Sequence, residues 1–88
     1  MNDLRRKELK NIVKQANKLA TLLDEMINDL ENIRDEEQGS FDNMPMSLQD
    51  SDRGQTSQDA ITELENALSM LQDLDCETLI GSIDTAAE

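Results

Sequence analysis

The sequence predicts an all-α fold: a long, coiled-coil-like antiparallel helical hairpin that dimerises into a four-helix bundle. Two stretches of heptad-spaced apolar residues indicate the two helices, and a segment containing Gly and Pro indicates the connection between them. The 88 residues are enough for only one small domain. We therefore expect residues 1–88 to form a single helical-hairpin domain.

The first helix is predicted over about residues 3–38. Its apolar residues alternate spacings of three and four through four heptads, as the a and d positions of a coiled coil do. Asp3 is expected to cap the start of this helix and Gly39 to end it. A second apolar row at seven-residue intervals widens the stripe enough for a bundle. The a and d residues are Leu9, Ile12, Ala16, Leu19, Leu23, Met26, Leu30 and Ile33, and the second row is Val13, Ala20 and Ile27.

A structured connection is predicted over about residues 39–55. Pro45 excludes Met44 from the helical region, and a short helical turn is expected near residues 47–50. Phe41 is the only aromatic residue of the chain. It is expected either to plug the end of the bundle or to act as a hydrophobic anchor for a partner.

The second helix is predicted over about residues 56–86, with Ser51 or Thr56 as alternative N-caps. Its stripe again follows spacings of three and four, and it falters at Asp75. The helix is therefore expected either to bend there or to break into a short third helix. The stripe residues before that point are Ala60, Ile61, Leu64, Ala67, Leu68, Leu71 and Leu74.

Two such rods leave part of the widened stripe exposed, and a chain of this size usually needs further stabilisation. A homodimer is the simplest closed assembly that supplies it. The seam between helices and between copies is expected to contain Leu19, Leu23, Met26, Leu30, Leu64, Leu68 and Leu71.

Composition excludes several classes of function. The chain has no His and one Cys, so zinc sites, His-based catalysis and internal disulfides are not expected, and neither is any cofactor. The acidic residues lie on solvated faces without an obvious pocket, so the protein is not expected to be an enzyme. Apolar runs are too short to cross a membrane or to form a signal peptide. The lone Cys76 is typical of a reducing compartment, which predicts the bacterial cytoplasm.

Charge is unevenly distributed along the chain. Residues 1–18 carry six basic and two acidic residues, whereas residues 19–88 carry 18 carboxylates and two arginines, giving −12 overall. Direct binding of nucleic acid is therefore not expected. An acidic face could instead imitate the field of nucleic acid for a basic protein, although acidic surfaces also serve solubility alone. The residues predicted to form this partner-binding face are Asp50, Asp52, Asp59, Glu63, Glu65 and Asp73.

The segment from Arg34 to Gly54 contains an acidic Glu/Gln run, Phe41-Asp42-Asn43, Pro45, Ser47-Leu48 and Ser51-Asp52-Arg53-Gly54. It resembles the linker of uncharacterised small acidic two-helix proteins of bacteriophages and mobile elements of Gram-positive bacteria. This resemblance implies a phage-type origin. Small acidic phage proteins often inhibit host enzymes, including defence nucleases.

The sequence therefore favours two functions. The first is a non-enzymatic inhibitor or adaptor that docks a basic, nucleic-acid-binding or defence protein of the host by charge mimicry. The alternative is a structural accessory protein whose self-assembling helical bundle is itself the function. A third hypothesis is that the basic segment containing Arg5, Arg6, Lys7 and Lys10 contacts nucleic acid while the acidic body recruits protein.

Overall fold

The computed structural model describes residues 1–88, and all its regular secondary structure is helical, which confirms the all-α class. The helices are α1 (Asp3–Asp42), α2 (Met46–Gln49), α3 (Asp52–Gln72) and α4 (Cys76–Ala86). Contacts divide the chain into two compact units. The terminal unit consists of Met1–Glu25 and Leu74–Glu88, and the central unit consists of Met26–Asp73.

The start of α1 is capped by Asn2 and not by Asp3. The Asn2 Oδ1 accepts a 2.9 Å hydrogen bond from the backbone N–H of Arg5, whereas Asp3 forms an ion pair with Arg6 at 3.0 Å. An Asn side chain caps as well as an Asp side chain does. The expected cap is therefore displaced by one residue.

α1 also ends four residues later than predicted, at Asp42 instead of residue 38. Gly39 lies inside the helix, and a Cβ added there would meet nothing within 4 Å. A glycine in a helix interior costs about 1 kcal/mol relative to alanine, which is too little to end a long helix. The stop comes from Pro45, which disfavours helical geometry at Met44.

The connection is ordered and contains the short helix α2. The Gln49 side chain donates from Nε2 to the carbonyl oxygens of Phe41 at 3.0 Å and Met44 at 3.2 Å, at the end of α1. Gly54, in the first turn of α3, is buried against α2. A Cβ at Gly54 would lie 2.5 Å from the Leu48 carbonyl oxygen and closer still to the Gln49 carbonyl oxygen. A glycine is therefore required where α3 starts this close to α2.

The region predicted as one second helix contains two helices. α3 begins at Asp52 with Ser51 as its N-cap, although the Ser51 hydroxyl donates to the Leu48 carbonyl and caps no N–H. The helix ends at Gln72, and residues 73–75 separate it from α4. A break in the helix is one of the two outcomes expected near Asp75. Asp75 caps α4, because its Oδ1 accepts a 3.0 Å hydrogen bond from the Thr78 backbone N–H.

Few side chains are buried, and each unit has its own small set. The terminal unit buries Ala16 and Leu23, and the central unit buries Ser57, Ile61 and Leu68. The predicted a and d residues of α1 form two rows, and only one of these rows lies on the packed side of the helix. Leu9, Val13, Ala20, Ile27 and Leu30 are half-buried beside Ala16 and Leu23, whereas Ile12, Leu19, Met26 and Ile33 are exposed.

Candidate protein-binding surface

The acidic residues are concentrated in one of the two units. The central unit contains 12 carboxylates and two arginines, Arg34 and Arg53. The terminal unit contains eight carboxylates and six basic residues, so its charges nearly cancel. The strongest negative field therefore belongs to the central unit.

The six residues predicted to form the partner-binding face all lie in the central unit, and all are exposed. None of them takes part in an ion pair, since the two salt bridges of the chain are Arg6–Asp3 and Arg34–Asp35. The Asp59 carboxylate accepts a 2.9 Å hydrogen bond from the Gln55 amide, which leaves its charge uncompensated. These carboxylates are therefore available to cations on a partner.

Helical periodicity brings three of the six together. At about 100° per residue, Asp52, Asp59 and Glu63 fall within roughly 40° of one another around α3. They lie on the side away from the buried residues Ile61 and Leu68. Glu65 is exposed but lies about 40° from Ile61 around the helix, at the edge of the packed side. Asp73 is the C-cap of α3, and Asp50 is the C-cap of α2.

Charge spacing limits how closely this face can imitate nucleic acid. α3 spans about 32 Å from Asp52 to Asp73 at roughly 1.5 Å per residue. Five of the predicted carboxylates lie on this stretch, one for about every 6 Å. Duplex DNA carries one charge per about 1.7 Å of axis and a single strand one per about 3.4 Å. The predicted carboxylates are therefore spaced more widely along α3 than the phosphates of double- or single-stranded DNA.

Phe41 lies beside an open cleft of the central unit. The ring is half-buried, and the cleft, of about 280 Å³, is also lined by Gln38, Gln58, Ile61 and Thr62. Its two predicted roles, as a plug of the bundle end or as an anchor for a partner, stay predictions.

The residues predicted to form the self-association seam divide into three groups. Leu23 and Leu68 are buried, Leu30, Leu64 and Leu71 are half-buried, and Leu19 and Met26 are exposed. Sequence reasoning did not include Leu22, which is 53% exposed. The spacing of Leu19, Leu22 and Met26, again three and four, is the signal that could have identified it as part of a second, outward-facing heptad stripe.

A small apolar cavity opens in the terminal unit, between α1 and the start of α4. It has a volume of about 160 Å³ and is lined mainly by leucine side chains. Cys76, whose thiol is free, lies half-buried at the same place. The lining residues are Leu19, Leu23, Leu74, Asp75, Cys76 and Leu79.

Asp75 has a lowered pKa, and the cause is structural. The hydrogen bond from the Thr78 hydroxyl to Oδ2, at 2.6 Å, and the one from the Thr78 backbone N–H hold the pKa of Asp75 below its ordinary value of 3.8. Both hydrogen bonds belong to the helix cap. The shift is therefore explained by capping and needs no catalytic interpretation.

No group of three or more acidic or Cys side chains is arranged to hold a metal ion. No helix combines the length and the apolar character needed to span a membrane. Comparison of the chain with protein-family models, with curated proteins and with solved structures finds no match.

Proposed function

We propose that the protein is a non-enzymatic binding protein that docks a basic protein surface through the carboxylates of its central unit. One observation carries this proposal: the central unit holds 12 carboxylates against two arginines, and the six predicted contact residues are exposed and free of ion pairs. A surface of this kind attracts cations over a distance and orients a basic partner before contact.

The partner in this proposal is a basic protein that binds nucleic acid, and the acidic face competes with phosphates for its Lys and Arg side chains. The resemblance over residues 34–54 supports a phage-type inhibitor or adaptor of a host or defence protein. The lone Cys76 supports action in the bacterial cytoplasm. The spacing of about 6 Å along α3 favours a partner whose basic residues are separated rather than contiguous.

Displacement of DNA from a basic DNA-binding domain would test this proposal. A homeodomain bound to labelled duplex is titrated with the protein, and fluorescence anisotropy reports release of the DNA. We expect release at low salt and little release at high salt, because exposed charges are screened within about 10 Å at 0.1 M salt. Release that is independent of salt would contradict charge-driven docking.

Two charge-matched variants separate a specific face from total charge. Asp59→Lys/Glu63→Lys/Asp73→Lys reverses the face on α3, and Glu8→Lys/Asp24→Lys/Asp84→Lys reverses three exposed carboxylates of the terminal unit. Each variant raises the net charge by the same six units from −12. We expect only the first to lose DNA release. Equal losses would mean that net charge alone is responsible.

The exposed apolar residues of α1 favour the second candidate, a self-assembling accessory protein. In this version the chain is a helical hairpin that pairs with a second copy into a four-helix bundle. Hairpin geometry is supported in the terminal unit by the 3.3 Å hydrogen bond from Arg6 Nε to the Glu88 carbonyl and by the cavity shared by Leu19 and Leu79. The two candidates are compatible, since the acidic face and the exposed apolar residues are different surfaces.

A further inference from the structure

α1 carries an apolar row that the chain itself leaves exposed. We name it the outer row; its members are Ile12, Leu19, Leu22, Met26 and Ile33, with exposed fractions from 43% to 53%. Their spacing places them along one side of α1 at heptad positions. Over the 21 residues from first to last, the row extends for about 32 Å. An exposed apolar stripe of this length is typical of an interaction surface.

The outer row is close to palindromic about Leu22. Ile12 and Ile33 lie ten and eleven residues from Leu22, and Leu19 and Met26 lie three and four residues from it. Two polar residues interrupt the row, Gln15 and Asp29, each seven residues from Leu22. A row that reads nearly the same in both directions can pair with itself when two helices run antiparallel.

The charges of α1 reverse about the same midpoint. Up to Lys18, the helix carries six basic and two acidic residues, and from Asp24 onward it carries eight carboxylates and one arginine. An antiparallel pair of α1 helices places each basic half against an acidic half, whereas a parallel pair places like charges together. Charge and apolar pattern therefore select the same partner and the same orientation.

We propose that the outer row is the interface with a second copy of this chain, in which two α1 helices pack antiparallel about a two-fold axis near Leu22. This inference deepens the self-assembly candidate and does not depend on the acidic face. Ile12 lies near Ile33 of the second copy, and the Gln15 amide faces Asp29 of the second copy. On the flank, Lys18 lies beside Glu25 of the second copy, and the symmetry repeats this pair.

The cavity of the terminal unit lies at this interface and receives a side chain of the second copy. Leu19 belongs both to the outer row and to the lining of the cavity of about 160 Å³. In the antiparallel arrangement, the residue opposite Leu19 is Met26 of the second copy. Methionine is flexible and unbranched, which suits it to filling an irregular apolar space.

Site-directed crosslinking tests both the interface and its orientation. Ile12→Cys and Ile33→Cys are made separately in a Cys76→Ser background, and each is treated with a short bismaleimide, alone and as a mixture. We expect crosslinked dimer in the mixture and little in either variant alone, while Leu22→Cys crosslinks by itself. Self-crosslinking of Ile12→Cys and of Ile33→Cys would establish a parallel pair, and no crosslink at any position would exclude this interface. Either result overturns the proposal.

A charge exchange provides the matched control. Lys18→Glu places like charges at both symmetry-related flanking pairs, and we expect it to raise the dimer dissociation constant about fivefold or more. Lys18→Glu/Glu25→Lys restores opposite charges and the native net charge of −12, so dimerisation should recover. Failure of the double variant to recover would contradict the register. A variant that loses the dimer but still releases DNA would contradict only the dimer interface and not the proposed docking function. A variant that keeps the dimer but no longer releases DNA would contradict only the docking function.

Discussion

The hydroxyl of Ser57 donates a 2.6 Å hydrogen bond to the Oε1 of Glu37, which joins α3 to α1 within the central unit. Ser57 is 4% exposed, and Glu37 is half-buried. A carboxylate in such a position is costly unless a donor satisfies it. The hydrogen bond therefore fixes which turn of α1 faces α3, in a unit that has few buried apolar side chains to specify this by packing.

Removal of this hydroxyl should destabilise the protein more than the loss of one exposed serine does. We expect Ser57→Ala to lower the free energy of unfolding by about 1–2 kcal/mol, because it leaves the Glu37 carboxylate without its donor. Ser69→Ala, at an exposed position of the same helix, should be neutral or slightly stabilising, since alanine has the higher helix propensity. Urea denaturation of both variants measures the difference, and equal midpoints would contradict this role for Ser57.

Two glycines inside helices should respond in opposite directions to the same substitution. Gly54→Ala forces a Cβ against the carbonyls of Leu48 and Gln49, and such overpacking typically costs about 1–3 kcal/mol. Gly39→Ala meets open space and should stabilise α1 by about 0.5–1 kcal/mol through its better helix propensity. Thermal or urea unfolding would reveal the opposite shifts. If Gly54→Ala were also stabilising, the close approach of α2 and α3 would be incorrect.

The sequence predicted most of the helical architecture because its signals are local. Heptad spacing is sufficient to identify α1, and the faltering stripe at Asp75 marks the junction before α4. Gly39 was misleading because the local cost of one glycine is outweighed by a helix of 40 residues. The length of a helix therefore depends on the whole element and not on its weakest residue.

Three-dimensional relationships were beyond these local signals. Leu19 and Leu23 both belong to the predicted a and d stripe of α1, yet Leu23 is 9% exposed and Leu19 is 52% exposed. Periodicity identifies an apolar stripe but does not say which edge of it the rest of the chain covers. Likewise, nothing near Ser57 or Gly54 in the sequence indicates Glu37 or Gln49 as a neighbour. The exposed carboxylates were identified correctly as exposed because charged residues rarely lose solvent without a partner.

The cap on α4 should make the end of the chain sensitive to acid. Hydrogen bonds from Thr78 lower the pKa of Asp75 below 3.8, so the carboxylate stabilises the folded helix at any pH above the ordinary value. This contribution is lost as the pH falls through the lowered pKa of the folded state, where the cap becomes protonated. The α4 amides should therefore begin to lose protection from hydrogen exchange as the pH falls below about 3.8. A helix that does not depend on a carboxylate cap should keep its protection to lower pH.

Substitution of the cap separates this effect from general acid unfolding. Asp75→Ala should lower protection of α4 already at neutral pH, whereas Asp75→Asn retains an oxygen that accepts from the Thr78 N–H. The Asn variant should keep much of the protection and lose its dependence on pH in the acidic range. An unchanged pH dependence in Asp75→Asn would assign the acid sensitivity to other carboxylates.

Substitutions of Leu23 and of Leu19 should distinguish effects on folding from effects on assembly. Leu23 is buried in the terminal unit, so Leu23→Ala should reduce the free energy of unfolding by about 2–4 kcal/mol through lost burial and the space left behind. Leu19→Ala removes a side chain that is already half in solvent, and in dilute protein it should cost less than about 1 kcal/mol. At high protein concentration, Leu19→Ala should weaken the dimer directly, because Leu19 lies in the proposed interface. Leu23→Ala should weaken the dimer only by destabilising the fold of each copy. Unfolding measured across a concentration series, with light scattering at each point, distinguishes the two. The opposite outcome is that Leu19→Ala lowers the free energy of unfolding as much as Leu23→Ala does, at every protein concentration. That result would place Leu19 in the core of the single chain and would contradict the proposal that the outer row is an interface.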